Sequence, residues 1–281
     1  MNDTATTSDQ TPDTKGADTP AKDKKKEDSL LVFVLKLALV VFVFRSFVFA
    51  SHSIPSESML PKLWNGDYLA ASKWSYGYTR YSLLFEPPVG DWRIFGSEPE
   101  RGDIAVFKHP VSYEDYIKRV IGLPGDQVQM RGGQLFLNGA AVKREKIGDF
   151  VQPMSENTIC AGTRFRATGA DGSRVCRYEQ YRETLPNGVS YTTLDFGPTR
   201  FDDTQVFLVP EGHVFMMGDN RDNSLDSRAP AAPGGGVGFV PVDLLLGKAQ
   251  ARIWSSDGSA EYVLPWTWFT AARWDRIGDG L

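Results

Sequence analysis

Two serines in a short proline-flanked segment are the first residues of this sequence whose chemistry suggests a catalytic site. Ser56 and Ser58 lie between Pro55 and Pro61, shortly after a long apolar run. Because proline fixes its own φ and restricts the residue before it, we expect a stiff, extended segment with both hydroxyls on one side. A serine becomes a nucleophile only when a neighbouring base takes its proton. The segment therefore requires a base from elsewhere in the chain.

Lys118 is the candidate for that base. Burial disfavours the charged ammonium group and lowers the pKa of a lysine, so a buried lysine can accept a proton near neutral pH. Lys118 lies among Tyr116, Ile117 and Val120, in a segment that reads as a strand and ends at a turn over residues 123–126. A single lysine on a strand is more often solvated, so the interpretation depends on the rest of the chain.

Residues 218–228 form a third polar motif. These eleven residues contain one large apolar side chain, Leu225, and follow the strand-like residues 214–217. Two interpretations are open: part of a catalytic site, or a solvated loop whose side chains bind their own backbone, with Asp226 pairing with Arg228. A calcium-binding loop is disfavoured, because the spaced acidic residues and the terminal Glu of an EF-hand are missing.

Other classes of site have little support in the sequence. The three histidines, His52, His109 and His213, occur singly, without the spacing of metal ligands or of a known Ser-His-Asp motif. The formal net charge of −4 and the lack of a basic stripe argue against nucleic acid as a partner. We therefore expect no metal, no cofactor and no nucleic-acid partner.

The segments that must position these residues divide the chain into three parts. Residues 1–29 contain no Leu, Ile, Val, Phe, Tyr or Trp, which predicts a disordered tail. Residues 30–50 are long enough for a helix that spans the roughly 30 Å core of a bilayer. Three residues of this segment are not apolar, namely Lys36, Arg45 and Ser46. Residues 51–281 remain for a large folded domain.

A cluster of lysines just before the apolar segment predicts its orientation. Lys22 and residues 24–26 lie on its N-terminal side, so the tail should be cytoplasmic and residues 51–281 translocated. As an alternative, residues 48–50 have the small-residue spacing of a signal-peptide cleavage site, which would remove the segment. The long preceding tail and the length of the apolar stretch favour an uncleaved anchor.

Strand and turn patterns dominate the sequence from residue 51 onward. Three turn motifs separate short apolar runs and predict hairpins: residues 131–134, Asn138 with Gly139, and residues 186–188. No long helical period interrupts this pattern. The predicted fold class is therefore mainly β, with few helices.

Two cysteines, Cys160 and Cys176, enclose 15 residues. In a translocated domain the oxidising compartment favours a disulfide between them, and two unpaired cysteines are the alternative.

In four blocks the sequence resembles the bacterial type I signal peptidases (leader peptidases), which are membrane-bound serine proteases with a Ser-Lys dyad. The blocks follow the order of that family and cover residues 54–63, 101–110, 116–126 and 218–228. The resemblance implies an all-β catalytic domain behind a single N-terminal transmembrane helix. It also implies a fold shared with Ser-Lys autoproteases of the repressor type.

The resemblance further implies roles for individual residues. Ser58 would be the nucleophile and Lys118 the general base. Ser56 would donate its hydroxyl to an oxyanion hole, beside the backbone N–H of Ser58. Ser224 would orient Lys118.

Other matching residues would brace the site or bind substrate. Asp226 and Arg228 would brace it. The positions that match the shallow pockets for small side chains are Ile54, Met59, Leu63, Tyr116 and Ile117. Two positions depart from the usual pattern of the family: Glu57 replaces a Gly, and Lys62 replaces a Thr. Glu57 would hinder proton loss from the nucleophile if its carboxylate pointed towards it.

The activity that the resemblance implies is removal of signal peptides from exported preproteins at the outer, periplasmic face of the cytoplasmic membrane. The enzyme would be single-pass with a cytoplasmic N-terminus, and its partners would be preprotein substrates and membrane lipid. One alternative is a Ser-Lys autoprotease, which would need a DNA-binding segment that residues 1–29 cannot supply. The other is a catalytically silent, membrane-anchored β scaffold.

Overall fold

The computed structural model describes residue 1 and residues 30–83, 90, 92–261 and 263–281. The chain divides into two compact units, Met1–Leu39 and Val40–Leu281. The predicted tail lies, apart from Met1, outside the described residues, and so does the lysine cluster.

An apolar helix, α1 (Leu30–Phe47), crosses the boundary between these units. Its 18 residues contain no Gly or Pro to interrupt a helix, and they have a mean hydropathy of 2.4. At 1.5 Å per residue the helix is about 27 Å long, close to the thickness of a bilayer core. Ser46 is its one buried residue. The helix thus has the length and composition of a membrane span, and it ends three residues before the predicted boundary at residue 50.

The second unit is built mainly from short strands, which confirms the predicted class. The strands and the second helix follow in this order: β1 (Phe49–Ser53), β2 (Asp67–Ser72), β3 (Tyr78–Thr79), β4 (Arg93–Ile94), β5 (Ile104–Lys108), β6 (Asp115–Gly122), β7 (Gln127–Arg131), β8 (Gln134–Leu137), β9 (Ala140–Ala141), β10 (Lys143–Lys146), β11 (Phe150–Pro153), β12 (Arg166–Thr168), β13 (Arg174–Thr184), β14 (Ser190–Asp195), β15 (Phe207–Leu208), β16 (His213–Met217), β17 (Val240–Pro241), β18 (Leu245–Ser255) and α2 (Pro265–Ala271).

A seven-stranded antiparallel sheet positions the candidate base. Its strand order is β1-β2-β18-β5-β6-β16-β17, so β6 lies between β5 and β16. Lys118 on β6 pairs with Ala105 on β5, and Arg119 pairs with Met217 at the end of β16. Gly218 follows Met217 directly, so this register brings the start of the polar loop 218–228 beside Lys118.

Among the described residues, three smaller sheets accompany the seven-stranded one, and their strand pairs confirm the predicted hairpins. Strands β7 and β8 pair across residues 131–134, and β13 and β14 pair across residues 186–188. Asn138 and Gly139 connect β8 to β9. Strands β15 and β16 flank residues 210–212 without pairing with each other: β15 joins β7, and β16 joins β6 and β17.

The segment that contains the two serines is extended only in part, which corrects the sequence-based expectation. After Ser56 the chain turns, because the N–H of Leu60 donates to the carbonyl of Glu57 at 3.1 Å. A second bond, from the N–H of Leu63 to the carbonyl of Met59 at 2.9 Å, continues the turn. Met59 and Leu63 thereby enter the hydrophobic core. Burying apolar side chains of this size stabilises a fold by about 1.5–3 kcal/mol each, so their packing holds the turn in place.

Cys160 and Cys176 form the expected disulfide. Cys176 lies on β13, and both cysteines pack in a buried cluster with Leu60, Tyr178 and Leu194. The bond therefore closes a loop against the strand that runs through the centre of the five-stranded sheet.

Replacing both cysteines by alanine should lower the free energy of unfolding by about 3 kcal/mol, because the open loop regains conformational entropy in the unfolded chain. Urea unfolding of the two proteins measures this difference. Mass analysis of the unreduced wild type should show Cys160 joined to Cys176, and two thiols open to alkylation would contradict the bond.

Candidate active site

Ser58 and Lys118 meet although 60 residues separate them in the sequence. The Nζ atom of Lys118 donates to the Oγ atom of Ser58 at 2.8 Å, and it donates to the carbonyl of Ile117 at 2.9 Å. Ser58 comes from the turn after residue 56, and Lys118 comes from the middle of β6. Both are buried, with 7% and 4% of their surfaces exposed. A serine hydroxyl is thus in direct hydrogen-bond contact with the amine of a buried lysine.

The surroundings of Lys118 favour its neutral form. Burial lowers its pKa from 10.5 to about 8, against the opposing charges of Asp226 and Asp219. Each of these carboxylates is itself paired with an arginine, Arg228 and Arg119 respectively. The arginines offset the negative charge near the amine, so a useful fraction of Lys118 is unprotonated near neutral pH.

A lowered pKa alone does not mark a catalytic lysine in this chain. Lys73 is also buried, and burial lowers its pKa to about 8 as well. Its Nζ atom donates to the backbone carbonyl of Ser82. What distinguishes Lys118 is its contact with a serine hydroxyl at the wall of a groove.

Most of the polar loop 218–228 is buried, with Asn223 and Leu225 exposed, which excludes the solvated-loop interpretation. Asp226 and Arg228 pair with each other, as the sequence predicted, through two bonds of 2.8 Å. Asp226 also accepts from the backbone N–H of Gly218 at 3.1 Å. Burial alone would raise the pKa of the Asp226 carboxyl, but the Arg228 guanidinium and these hydrogen bonds hold it below its ordinary value.

Two further buried ion pairs fix the loop, and sequence analysis did not find them. The guanidinium of Arg119 binds Asp219 through two bonds of 2.7 and 2.6 Å. Arg221 binds Glu183 on β13 in the same way, at 2.9 and 2.6 Å. The signal in the sequence that could have indicated these ion pairs is a charged residue on a strand, Arg119 on β6 and Glu183 on β13. Their partners lie 100 and 38 residues away, so the pairing depends on the fold.

A groove of about 860 Å³ lies along the Ser58–Lys118 pair. Ile54, Val106 and Ile117 give one wall apolar side chains, and Tyr116 lies beside them. The complete lining is His52, Ser53, Ile54, Pro55, Ser56, Ser58, Val106, Glu114, Asp115, Tyr116, Ile117, Lys118, Thr199, Arg200, Phe201, Asp222, Asn223, Ser224 and Leu225. Such a groove can hold an extended peptide with its small side chains against the apolar wall.

Three of the five predicted substrate-binding residues line this groove and two do not. Ile54, Tyr116 and Ile117 line it. Met59 and Leu63 have no exposed surface and belong to the core cluster beneath it, with Ile54 and Ile117. Both apolar side chains pack in the core, behind the wall of the groove.

Ser56 and Ser224 both lie at the groove, with different surroundings. The Oγ of Ser56 lies 3.3 Å from the Oγ of Ser58 and is exposed, so it is available to a group bound there. The resemblance implied that Ser224 orients Lys118, but no hydrogen bond joins the two side chains among the described residues. Its buried Oγ has no hydrogen-bond partner among the described residues, and its side chain packs against Gly218.

The side chains at the two departures from the family pattern bind groups other than Ser58 and Lys118. The carboxylate of Glu57 accepts from the side-chain amide of Asn223 at 3.3 Å. Lys62 donates to the carbonyl of Gly280 at 3.0 Å. Burial raises the pKa of Glu57, which reduces the negative charge beside Ser58. Neither residue replaces a contact between Ser58 and Lys118.

Comparison with known proteins identifies the family. The family described as "Signal peptidase, peptidase S26" matches residues 28–254. The chain is 37% identical to the signal peptidase I of Rickettsia typhi over 245 residues, which cover 84% of this chain and 81% of that protein. It is 36% identical to the signal peptidase I of Rickettsia prowazekii over the same shares of both chains.

A solved relative is the signal peptidase I of Enterococcus faecalis, which is 27% identical. The match covers 54% of this chain and 97% of that one, with a TM-score of 0.28. The extent of the family match and the identity to the rickettsial enzymes decide the assignment. The chain belongs to the signal peptidase family, peptidase S26, and is a serine peptidase.

Proposed function

We propose that this protein is a membrane-bound endopeptidase that removes signal peptides from exported preproteins through Ser58 and Lys118. The observation that carries the proposal is the 2.8 Å contact between the Ser58 hydroxyl and a buried lysine whose pKa is lowered to about 8. A lysine in that state accepts the proton that a serine must lose to attack a carbonyl.

The proposed reaction proceeds in two halves. Neutral Lys118 takes the proton of Ser58 while the Oγ atom attacks the scissile carbonyl carbon and forms a tetrahedral intermediate. Its oxyanion accepts from the backbone N–H of Ser58 and the hydroxyl of Ser56. The Lys118 ammonium then gives its proton to the leaving amine, and the C–N bond breaks. Water, deprotonated by Lys118, then attacks the acyl carbon; the ester bond to Ser58 Oγ breaks, Lys118 returns the proton to that oxygen, and the signal peptide is released.

The groove supports a substrate with small side chains near the cleaved bond. Ile54, Val106 and Ile117 supply an apolar surface in the groove that also contains Ser58, and Tyr116 lines the groove with them. An extended peptide places alternate side chains on one face, so small residues at alternate positions fit this wall. This is the kind of sequence that precedes the cleavage site of a signal peptide.

Residues 30–50 serve as a membrane anchor in this proposal. Helix α1 supports it through its length and its hydropathy of 2.4. Residues 1–29 form the cytoplasmic tail, and residues 51–281 form the catalytic domain on the outer face of the inner membrane. The disulfide supports an oxidising compartment for that domain, since cystines are rare in the cytosol. Membrane lipid and the emerging preprotein are the partners at that surface.

Ser58→Ala and Lys118→Ala should each abolish cleavage of a purified preprotein, because the nucleophile and base act as one unit. Lys118→Arg should also be inactive, since a guanidinium stays protonated at any working pH. The matched control is Lys73→Arg, which changes a second lysine of lowered pKa outside the groove and should cleave like the wild type. Single-turnover assays compare the four variants. A Lys118→Arg enzyme with the wild-type rate would refute the proposed base.

The rate of cleavage should rise with pH along a limb centred near pH 8. The pKa of Lys118 is lowered to about 8, so the amine is mostly charged below that pH and mostly neutral above it. Well below pH 8, each unit of pH should change kcat/KM by about tenfold. A pH series at subsaturating substrate measures the limb. A rate independent of pH between 6 and 8 would contradict a lysine base.

Protease added to intact spheroplasts should digest residues 51–281 and leave the N-terminal tail protected. The lysines before residue 30 retain the tail in the cytoplasm according to the positive-inside rule. Antibodies against the tail and against the catalytic domain report which part survives. Survival of the large domain with loss of the tail would reverse the proposed orientation.

A further inference from the structure

We propose that Asn220 is a positioning residue that aims the backbone N–H of Ser58 into the groove. The inference rests on the proposed function, because that N–H is one of the two donors to the oxyanion. Asn220 lies in the buried loop 218–228 and has no exposed surface. Its side-chain Nδ2 atom donates to the carbonyl of Glu57 at 3.1 Å, and its backbone N–H donates to the carbonyl of Ser58 at 3.1 Å.

The geometry of the peptide group relates these contacts to the direction of the Ser58 N–H. The carbonyl of Glu57 and the N–H of Ser58 belong to one planar trans peptide group, in which they point in opposite directions. A donor that holds the carbonyl therefore fixes the direction of the N–H. Among the described residues, no acceptor binds this N–H, so it remains open to a bound oxyanion.

The carbonyl of Glu57 has two donors with different functions. The N–H of Leu60 binds it at 3.1 Å within the same turn. That bond shapes the turn but moves with it, because both partners belong to the turn. The amide of Asn220 comes from another part of the chain and ties the turn to the loop. Asn220 therefore sets the position of the peptide group relative to the rest of the site.

Asn220 is suited to this task because its neighbours are immobilised on both sides. Asp219 is bound by Arg119, and Arg221 is bound by Glu183, each through two hydrogen bonds. The backbone of Asn220 also bridges to Leu194 on β14. Two buried ion pairs thus hold the side-chain amide of Asn220 at a fixed place beside the turn at residues 57–63.

The side chain of Asn220 makes its hydrogen bond at a cost, which argues for a function. Its Oδ1 atom is buried and has no partner among the described residues. Buried polar atoms are normally paired, and an unpaired one requires an explanation. Reversing the amide would set this oxygen against the carbonyl of Glu57, so the donor must face Glu57. An unpaired acceptor is thus retained in order to place one N–H donor.

The test compares Asn220→Ala and Asn220→Asp with the wild type. Neither replacement presents an N–H to Glu57, and aspartate keeps the shape of asparagine. We expect kcat for preprotein cleavage to fall about 10- to 100-fold, which is less than the loss of an oxyanion donor outright. KM should stay within about twofold. The pH midpoint of Asn220→Ala should not move, since the contacts of Lys118 remain. The control is Asn187→Ala, which removes a hydrogen bond from the Asn187 side-chain amide to the carbonyl of Arg101, outside the groove. This variant should cleave like the wild type.

A pair of ligands separates positioning from a general structural defect. A peptide aldehyde forms a hemiacetal when the Ser58 oxygen bonds to its carbonyl carbon, and the former carbonyl oxygen takes the oxyanion position. The corresponding peptide alcohol binds the same groove without that bond. The Asn220 variants should lose affinity for the aldehyde by the factor lost in kcat, and should bind the alcohol normally. Equal losses for both ligands, or wild-type kcat in a folded variant, would overturn the inference.

Hydrogen exchange on the wild type tests the same point without a substitution. The Ser58 amide should exchange rapidly in the free enzyme and be protected once the peptide aldehyde is bound. Strong protection in the free enzyme would show that another group already binds this N–H, and would overturn the inference even if neither variant folds. The wild-type cleavage assay keeps the two proposals apart. Its failure would refute the proposed function, whereas cleavage by wild type and variants alike would refute only the role of Asn220.

Discussion

The exclusion of water from the Lys118 amine is the constraint on which the site depends. An exposed lysine is charged at neutral pH and cannot take a proton from serine. Burial removes the solvation of the ammonium and lowers the pKa to about 8, but it also brings the amine near Asp219 and Asp226. Unpaired, these carboxylates would restore the charge on the lysine. Their ion pairs with Arg119 and Arg228 allow the amine to be buried and neutral together.

The sheet explains how these groups are brought together from distant parts of the sequence. Strand β6 carries Lys118 and Arg119 in succession, so the proposed base and the arginine that pairs with Asp219 project to opposite faces of the sheet. Strand β16, its neighbour, ends where the polar loop begins. The turn at residues 57–63, which contains Ser58, contacts that loop through Asn220. One pair of adjacent strands therefore determines the relative positions of Lys118, its neighbouring ion pairs and Ser58.

Local patterns allowed much of the fold to be predicted from the sequence. Glycine-containing turns marked the hairpins at residues 131–134 and 186–188, because few other residues accept the backbone angles of such turns. The pairing of Asp226 with Arg228 was also visible, since the partners are two residues apart. The Ser58–Lys118 pair was expected because the four blocks resemble a family. Without that resemblance, a single lysine on a strand is more often solvated than catalytic.

Long-range contacts were not accessible in the same way. No local pattern reveals that Arg221 binds Glu183, or that the turn after Ser56 carries Met59 and Leu63 into the core. Met59 and Leu63 were expected in the substrate pockets because they match pocket positions of the family, and an apolar residue at such a position can equally pack in the core. The hydroxyl of Ser224 illustrates a further limit: its position at the groove followed from the motif, but its hydrogen bonding did not.

The buried pair of Asp226 and Arg228 has a consequence for how the enzyme responds to acidity. Arg228 touches neither Ser58 nor Lys118 through a hydrogen bond, yet it offsets the carboxylate that most strongly favours a charged Lys118. Loss of that cation would displace the titration curve of the base to higher pH without removing a reacting group. Activity lost at neutral pH would then return in alkaline solution. The pH range over which the proposed base can accept a proton from Ser58 thus depends on an arginine that makes a hydrogen bond with neither residue.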